Sequence, residues 1–303
     1  MEDVIKTGQF KAGYVAIIGR PNVGKSTLLN RFLKFKFSGV SQKPQTTRHK
    51  ILGVLQGEDY QICFLDTPGV VTGQSDVFAR RLVSLVMDAQ QEADLIILMV
   101  GPGYPGEIER YLIDEMATLK KPCILLINKV DLVPKHLLLP KIEEYADLYS
   151  FKEIIPISAL RLDGIDRVLS IIMEELPISD PIVDRETFTD RSERFFASEM
   201  ILEKVFQRYW KEVPYFTCVE IDNFIEASSE HGGKDYISAN IYVERVNQRR
   251  ILIGKGGKAL KEVGIEARED IEELFGRAVY LELWVKVRPR WREDHRFLQE
   301  IGY

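Results

Sequence analysis

A glycine-rich octapeptide near the N-terminus carries a lysine and a serine at a fixed spacing. Gly19, Gly24, Lys25 and Ser26 fit the pattern GxxxxGK(S/T), between an apolar run that ends at Ile18 and a helical pattern. Backbone amides of such a loop point at phosphate oxygens, and the N-terminus of the following helix adds positive partial charge. We therefore predict a phosphate-binding loop, against the alternative of a turn that binds nothing, with Lys25 on the terminal phosphates and the Ser26 hydroxyl on Mg²⁺. The predicted phosphate contacts are Gly19, Arg20, Pro21, Asn22, Val23, Gly24, Lys25, Ser26 and Thr27.

A second string indicates which base the site selects. Asn128, Lys129 and Asp131 follow directly after the apolar run 123–127. The Asp131 carboxylate can accept hydrogen bonds from guanine N1–H and its exocyclic amine, and adenine offers neither in that arrangement. A site built for such bonds rejects the analogue by roughly 10⁴ or more, because its polar groups are left without partners. Asn128 and the stem of Lys129 would hold the loop and cover the base. A backbone amide near guanine O6 is expected from Ser158, Ala159 and Leu160.

Two further segments carry groups that suit the metal and the last phosphate. Asp66 and Gly69 belong to the string DTPG after another apolar run, where Asp66 would hold Mg²⁺ through water and the Gly69 amide would sense the γ-phosphate. The polar stretch 38–50 suits a loop that orders around that phosphate, or alternatively an ordinary solvated loop. Thr47, and in second place Thr46, would supply another hydroxyl to the metal. The predicted switch residues are Gln45, Thr46, Thr47, Arg48 and His49 in the first segment and Asp66, Thr67, Pro68 and Gly69 in the second.

The position after DTPG holds Val70, which cannot hydrogen-bond the attacking water. Phosphoryl transfer depends on positioning and charge stabilisation, so we expect slow intrinsic hydrolysis of GTP to GDP. One hypothesis is that a K⁺ ion beside Asn22 supplies a fixed positive charge. The alternative is that Asn22 only braces its loop.

The pattern of strands and helices predicts an α/β fold followed by an α+β module. Strand candidates alternate with helical stretches as far as residue 176, which indicates an open, mostly parallel six-stranded sheet. The segment 176–181 contains two prolines and indicates a domain boundary. The predicted domains are 1–178, a linker at 179–195, and 196–303 with a basic C-terminal tail. In the second domain we expect a helix at 192–211, strands at 216–227, 236–246 and 279–287, a hairpin turn at 230–235, and a helix at 258–275.

A basic window surrounds a GxxG turn in the second domain. A GxxG backbone lets amides approach phosphates closely, and nearby lysines add attraction. Considered without its context, however, the GxxG turn is better explained as a simple helix–turn–helix link that binds nothing. The predicted RNA contacts are Arg249, Arg250, Gly254, Lys255, Gly256, Gly257, Lys258, Lys261, Arg288 and Arg290. The stretch 286–292 would extend the RNA track or form a solvated tail. Apolar residues expected to pack helices on the sheet are Ile251, Leu252, Ile253, Leu260, Val263, Ile265 and Ile271.

Composition excludes several classes. The net charge of −5 gives no global sign of a nucleic-acid partner, so the RNA prediction depends on the local window. Three cysteines in apolar runs, without CxxC spacing, indicate buried thiols in a reducing compartment. No apolar run approaches the ~20 residues that a membrane span needs.

The motifs GRPNVGKS, QTTRH, DTPG, NKVD and SAL resemble the signatures of translation-factor-related (TRAFAC) GTPases, in particular the TrmE-Era-EngA branch. The second half resembles a type II KH domain, and the combination resembles the Era family of bacterial ribosome-assembly GTPases. The resemblance implies GTP/GDP and Mg²⁺ as ligands, binding near the 3′ end of 16S ribosomal RNA, and a role in 30S subunit assembly. It also implies a monomer in the cytoplasm with peripheral inner-membrane association. The alternative function is a signalling switch whose main partner is a protein or a membrane surface.

Overall fold

The computed structural model describes residues 9–39, 41, 43–71, 76–227 and 233–303. They form two compact units. Unit 1 comprises Met1–Ser38, Thr47–Gln74 and Leu82–Asp190, and unit 2 comprises Arg191–Tyr303 together with two segments from the first half, Gly39–Thr46 and Ser75–Arg81. The boundary between Asp190 and Arg191 falls inside the predicted linker, but no sequence pattern indicated the two additional segments in unit 2.

Unit 1 is built on a six-stranded sheet with the order β2-β3-β1-β4-β5-β6. All neighbouring strands are parallel except β2, which is antiparallel to β3, so the predicted mostly parallel sheet is confirmed. The strands are β1 (Lys11–Ile18), β2 (Ile51–Gln56), β3 (Tyr60–Asp66), β4 (Leu95–Val100), β5 (Cys123–Ile127) and β6 (Glu153–Pro156). Every residue of β4 and β5 is buried, because a central parallel strand is covered by helices on both faces.

The helices of the first half are α1 (Lys25–Leu33), α2 (Val77–Glu92), α3 (Glu107–Leu119), α4 (Leu139–Leu148) and α5 (Ile165–Glu175). The first turn of α2 groups with unit 2. Strands β1, β3 and β5 end at Ile18, Asp66 and Ile127, at the motif residues or directly before them. Since the carboxyl ends of parallel strands meet at one edge of a sheet, these motifs come together there.

The proline-containing segment after α5 runs back along the edge of the unit 1 sheet. Gln61 is fully buried, and its Oε1 accepts hydrogen bonds from the Ile182 and Val183 amides at 2.6 and 3.0 Å. The Val54 amide donates to the Phe188 carbonyl. Part of the predicted linker therefore lies against β2 and β3.

Unit 2 contains a three-stranded sheet with the order β7-β8-β9, with β7 and β8 antiparallel and β8 and β9 parallel. Its elements are α6 (Glu193–Arg208), β7 (Thr217–Ile225), β8 (Asp235–Val243), α7 (Val246–Ile253), α8 (Lys258–Phe275), β9 (Val279–Val287) and α9 (His295–Glu300). The predicted hairpin turn falls partly on residues 230–232, outside the described residues.

The predicted packing of α7 and α8 is right for most residues and wrong for two. Leu252, Val263 and Ile271 are fully buried in the core of unit 2, and Ile253 and Leu260 pack partly against it. Ile251 and Ile265, however, are 50% and 40% exposed. The buried positions of α8 follow a four-residue spacing that turns Ile265 to the other side of the helix.

The last two residues of the stretch 286–292 are buried, so the alternative of a fully solvated tail is wrong. Trp291 is fully buried, and its indole Nε1 donates to the Phe216 carbonyl at 3.0 Å. Its ring meets the fully buried Phe78 with centroids 5.3 Å apart, and Tyr303 meets the same phenylalanine at 4.9 Å. The Arg292 guanidinium pairs with Asp76 at 2.8 Å. These contacts explain why residues 76–81 group with unit 2.

Candidate functional site

The phosphate-binding loop has a backbone that only small residues allow at two positions. Gly19 and Gly24 have φ of +147° and +107°. A Cβ on Gly19 would lie 2.2 Å from the Met99 carbonyl oxygen, and one on Gly24 would lie 2.3 Å from Asn128 Nδ2. Both glycines therefore allow close approach of neighbouring chain segments as well as the loop conformation.

Lys25 is buried at the start of α1. Its ammonium donates to the carbonyls of Gly19 and Arg20, both at 3.1 Å. Burial lowers the pKa of Lys25 to about 8, and the Asp66 carboxylate opposes this shift. A buried cation at the N-terminus of a helix is prepared to receive an anion.

Three oxygen-bearing side chains meet beside Lys25. The Ser26 hydroxyl lies 2.9 Å from the Thr47 hydroxyl and donates to Asp66 Oδ2 at 3.4 Å. Asp66 is fully buried, its Oδ1 has no hydrogen-bond partner among the described residues, and burial raises its pKa. Hydroxyl and carboxylate oxygens are the ligands that Mg²⁺ prefers, so these residues fit the metal that the sequence implies.

The two candidate threonines have different surroundings. Thr46 directs its hydroxyl to Ser41 Oγ at 2.6 Å and to the Lys43 carbonyl at 3.0 Å, whereas Thr47 reaches Ser26. This geometry favours Thr47 as the metal ligand.

The first switch segment is more buried than an ordinary polar loop. The buried side chains are Gln45, Thr47, Arg48 and His49. Lys43, four residues before Thr47, donates to the carbonyls of Phe206 and Tyr209 at the end of α6. Its ammonium also lies 4.1 Å from the centroid of the Trp210 ring. The alternative of an ordinary solvated loop is therefore wrong for this part of the chain.

The second switch segment lies directly against the phosphate-binding loop. The Thr67 hydroxyl donates to the Ile17 carbonyl at 2.7 Å, and the Val70 amide donates to the Gly19 carbonyl at 3.3 Å. A Cβ on Gly69 would lie 2.6 Å from the backbone of Pro21. Val70 is buried, so its side chain offers nothing to water.

Asn128 joins two loops of the predicted guanine site. Its Nδ2 donates to the Val23 carbonyl at 2.7 Å, and its Oδ1 accepts from the Ala159 amide at 2.9 Å. Lys129 donates to the Asn22 carbonyl at 2.6 Å. The arrangement holds the NKVD string, the phosphate loop and the SAL string in one place, as their predicted roles require.

The remaining residues of the predicted guanine site meet at Asp131. Ser158 Oγ donates to Asp131 Oδ1 at 2.7 Å, and the exposed Arg161 lies 3.5 Å from Oδ2. Leu160 is 68% exposed, and its carbonyl accepts from Arg31 at 3.4 Å. The assignment of each residue to a contact of the base stays a prediction.

Sequence reasoning missed Glu109, which lies on α3. This carboxylate is buried, pairs with Arg20 Nε at 3.1 Å, and accepts the Gly106 amide at 3.1 Å. It thus fixes an arginine of the phosphate loop from a distant part of the chain. The sequence shows only an acidic residue in the first turn of a predicted helix. Such a residue commonly caps its own helix, so the pattern does not indicate a partner elsewhere in the chain.

The predicted RNA contacts lie around an open backbone turn. Gly254, Gly256 and Gly257 have φ of +71°, +60° and +76°. A Cβ placed on Gly256 or Gly257 would have no atom of the described residues within 4 Å. The exposed cations around this turn are Arg249, Arg250, Lys255, Lys258 and Lys261. Exposed Ile251 lies one turn before it, where it adds apolar surface.

The two arginines after β9 differ from each other. Arg288 Nη2 pairs with Asp294 at 2.8 Å, and its guanidinium lies 3.8 Å from the centroid of Phe297. Arg290 is exposed with a φ of +54°. Arg288 is therefore partly engaged within unit 2, and Arg290 is the more accessible cation.

Comparison with known families gives two matches. The family described as 50S ribosome-binding GTPase matches residues 14–129, and the KH domain family matches residues 212–292. The chain is 46% identical to the GTPase Era of Geobacter metallireducens and 43% identical to that of Geotalea uraniireducens. Both comparisons cover 97% of this chain and 98% of the relative.

Solved structures give the same result. The chain superposes with a TM-score of 0.93 on a crystal structure of Era in complex with MgGDPNP and nucleotides 1506–1542 of 16S ribosomal RNA, at 38% identity. It superposes equally well, at 39% identity, on a tyrosine-to-alanine variant of Aquifex aeolicus Era bound to GDP·AlF₄⁻. Each comparison covers 97% of this chain and 99% of the solved one. The chain is a GTP-binding and GTP-hydrolysing enzyme with a C-terminal KH domain, and it belongs to the Era family of GTPases.

Proposed function

We propose that this GTPase binds small-subunit ribosomal RNA near its 3′ end through the KH domain and acts in assembly of the 30S subunit and maturation of its RNA. The observation that carries the RNA part is the GKGG turn, where three glycines with positive φ are surrounded by exposed arginines and lysines. The solved Era complex with 16S ribosomal RNA supports the choice of RNA. Family membership does not favour the alternative of a signalling switch directed at a protein or a membrane.

In this proposal the turn holds the RNA backbone and the neighbouring cations attract its phosphates. Amides of Lys255 and Gly256 approach phosphate oxygens without obstruction by side chains, whereas the Gly257 amide donates to the Gly254 carbonyl and holds the turn together. Lys258 and Lys261 lie on the first turn of α8, where the helix N-terminus adds positive partial charge. Arg249, Arg250 and Arg290 extend the track at its ends, and the exposed Ile251 offers apolar surface to an unstacked base.

The nucleotide part of the proposal assigns a role to each loop around Lys25. Lys25 neutralises charge on the β- and γ-phosphates, and Asp131 reads the guanine edge. Mg²⁺, held by Ser26 and Thr47 and through water by Asp66, would neutralise charge that develops on the phosphates. Because Val70 is buried and apolar, another group must orient the attacking water. We propose a K⁺ ion near Asn22 as a further fixed charge.

Nucleotide state is proposed to reach the KH domain through the segments that group with it. Lys43 and Asp76 lie in these segments, and they contact the end of α6 and Arg292, respectively. Thr47 follows Lys43 by four residues, and Asp76 follows Gly69 by seven. A change at the metal or at the γ-phosphate is therefore only a few residues from side chains packed in unit 2. Such coupling requires RNA affinity to differ between the GTP and GDP states.

The test is the binding of a 16S 3′-end RNA fragment at several salt concentrations. Lys255→Ala/Lys258→Ala should weaken binding at least tenfold, and it should lower the salt slope by about 1.4, since each phosphate contact on a single strand contributes about 0.7. Lys120→Ala/Lys135→Ala removes the same charge from exposed positions in unit 1 and serves as the control. Equal losses in both variants would mean that the protein attracts RNA through general charge, and the assignment of RNA binding to the GKGG turn would fail.

We also propose that the protein is a monomer in the cytoplasm and that it associates peripherally with the inner membrane. Within the described part of the chain, no helix is long and apolar enough to cross a bilayer. Sedimentation with vesicles that contain anionic lipid tests the peripheral contact, and neutral vesicles provide the control. Equal recovery in the supernatant with both kinds of vesicle would contradict it.

A further inference from the structure

One face of the unit 2 sheet is not used by the core or by the GKGG turn. Alternate residues of β8, namely Ile237, Ala239, Ile241 and Val243, are fully buried in the core. The residues between them face the other way, because successive side chains of a strand alternate between its faces. We name this second face the outer sheet face. It consists of the residues at even positions from Tyr236 to Tyr242 on β8 and from Tyr280 to Lys286 on β9, together with the β7 residues opposite them, which are Cys218, Glu220, Asn223 and Ile225.

Short side chains form the floor of the outer sheet face, and taller ones surround them. The short side chains belong to Ser238 and Asn240, which are only 4% and 2% exposed. In the strand register Asn240 lies between Glu220 and Trp284, and Ser238 lies beside Glu282. A shallow depression therefore lies between the Glu220 carboxylate on β7 and the Glu282 and Trp284 side chains on β9.

Aromatic and acidic groups alternate along the β9 side of this depression. Tyr280 and Trp284 are 51% and 58% exposed, with Glu282 between them in the sequence. The rings of Tyr236 and Tyr280 stack with centroids 6.0 Å apart, and the Tyr236 hydroxyl donates to Glu282 Oε2 at 2.8 Å. Side chains two residues apart on a strand are about 7 Å from each other. One elongated side chain of a bound partner can therefore contact the Glu282 carboxylate and an adjacent aromatic ring at the same time.

The carboxylates of this face have no cationic partner in the described part of the chain. No lysine or arginine there lies within 4.0 Å of Glu220 or Glu282. The Tyr242 hydroxyl donates to Glu220 Oε2 at 2.9 Å, and this fixes the carboxylate in place. Among the described residues on the strands of the face, Lys286 is the one cation, and it lies at the end where Phe297 packs on Tyr242. Arg288, directly after β9, also interacts with Tyr242 at this end, and its guanidinium pairs with Asp294. The exposed end is therefore acidic, and RNA phosphates would be repelled from it.

We propose that the outer sheet face binds arginine side chains of a basic segment in a partner protein. A guanidinium stacks on the exposed face of Trp284 while its fork of N–H groups hydrogen-bonds the Glu282 carboxylate. A second cationic residue of the same segment reaches Glu220, two strand spacings or about 10 Å away. Lysine binds less well here, because it lacks the planar group that stacks and pairs at once. This surface is separate from the predicted RNA contacts and does not depend on them.

The test measures fluorescence anisotropy of a labelled peptide, (Arg-Gly)₄, against the full-length protein at physiological salt. Glu220→Gln/Glu282→Gln should weaken binding at least tenfold, and Trp284→Leu at least fivefold. The matched control, Glu269→Gln/Glu273→Gln, removes two exposed carboxylates from α8 and should change affinity less than twofold. A (Lys-Gly)₄ peptide should bind the wild type at least threefold more weakly, and Trp284→Leu should abolish this difference.

Other occupants of the face give different results. If the α8 control weakens the peptide as much as the double variant, the attraction is general charge and the proposal is wrong. It is also wrong if Trp284→Leu lowers affinity for the 16S fragment instead of the peptide, which would make this face an RNA surface. A dimer in sedimentation that Trp284→Leu dissociates would overturn the proposal by assigning the face to a second copy of the chain.

Discussion

The buried lysine of the phosphate loop predicts an unusual pH dependence of nucleotide binding. In the nucleotide-free protein, burial lowers the pKa of Lys25 to about 8, from an ordinary value of 10.5. In a complex, the phosphates favour the charged form and keep the ammonium protonated well above that pH. GDP must therefore bind the protonated form, and the fraction of free protein in that form falls as pH rises through 8.

The magnitude follows from this pKa. Raising the pH from 7.0 to 9.0 reduces the protonated fraction of free Lys25 from about 0.9 to about 0.1, so affinity should fall about tenfold, or about 1.4 kcal/mol. A lysine with an ordinary pKa would stay protonated over this range and would give almost no change. Calorimetric titration of the nucleotide-free protein with Mg²⁺ and GDP measures the effect directly.

The control for this experiment is Lys25→Met, which has a similar length and no titrating group. It binds GDP more weakly, but its affinity changes with pH only through titration of the nucleotide itself and of other residues. Subtracting its pH dependence isolates the contribution of Lys25. If wild type and variant show parallel pH profiles, Lys25 is protonated throughout and burial does not lower its pKa into this range. The stability of the nucleotide-free protein should change with pH in the opposite direction. Because the pKa of Lys25 is lower in the folded state than in the unfolded state, the free energy of unfolding should increase relative to Lys25→Met as pH rises from 8 towards 10.5.

Three further predictions concern the base, the ion and the loop. Asp131→Asn should weaken GTP binding by a factor of ten or more and favour xanthosine triphosphate, because the amide replaces one acceptor with a donor and xanthine has a carbonyl where guanine has its exocyclic amine; competition binding would contradict this role if the preference for guanine persisted. GTP hydrolysis should be faster in KCl than in NaCl at equal ionic strength if K⁺ binds near Asn22, and Asn22→Ala should remove the difference; equal rates for the wild type would exclude the ion. Glu109→Ala should lower the free energy of unfolding by about 1–3 kcal/mol, since Arg20 and the Gly106 amide lose a buried acceptor; an unchanged melting temperature would show that the Arg20 pair contributes nothing.

Most of unit 1 was accessible from the sequence for physical reasons. The apolar runs of β4 and β5 are continuous because both faces of these strands are buried, and few other structures produce such runs. Binding of phosphate, metal and base requires particular residue types in the loops around the nucleotide. Each motif is therefore short enough to be recognised within one segment of the sequence. Gly24 is an example, since both its φ and its closeness to Asn128 exclude a larger residue.

Partners that are distant in the sequence could not be predicted in this way. The Arg20 pair joins residues 89 positions apart, and nothing local in either segment indicates the other. The exposure of Ile251 has a related cause. Gln248 accepts hydrogen bonds from the Glu244 and Arg245 amides, and Leu252, one turn later, enters the core. Ile251 is rotated by about 100° from that side, and apolar composition alone does not reveal the rotation.

The surroundings of Phe78 limit how the chain can be shortened. This ring is fully buried, and its aromatic neighbours Trp291 and Tyr303 come from the last thirteen residues of the chain. A fragment that stops at Asp190 would keep the phenylalanine but lose both neighbours, and would leave Asp76 without Arg292. Such a fragment would present a large apolar side chain to water just downstream of the DTPG string, and aggregation or altered nucleotide turnover in it would reflect that exposure. Enzymatic comparisons between a truncated and an intact chain therefore test more than the loss of RNA binding.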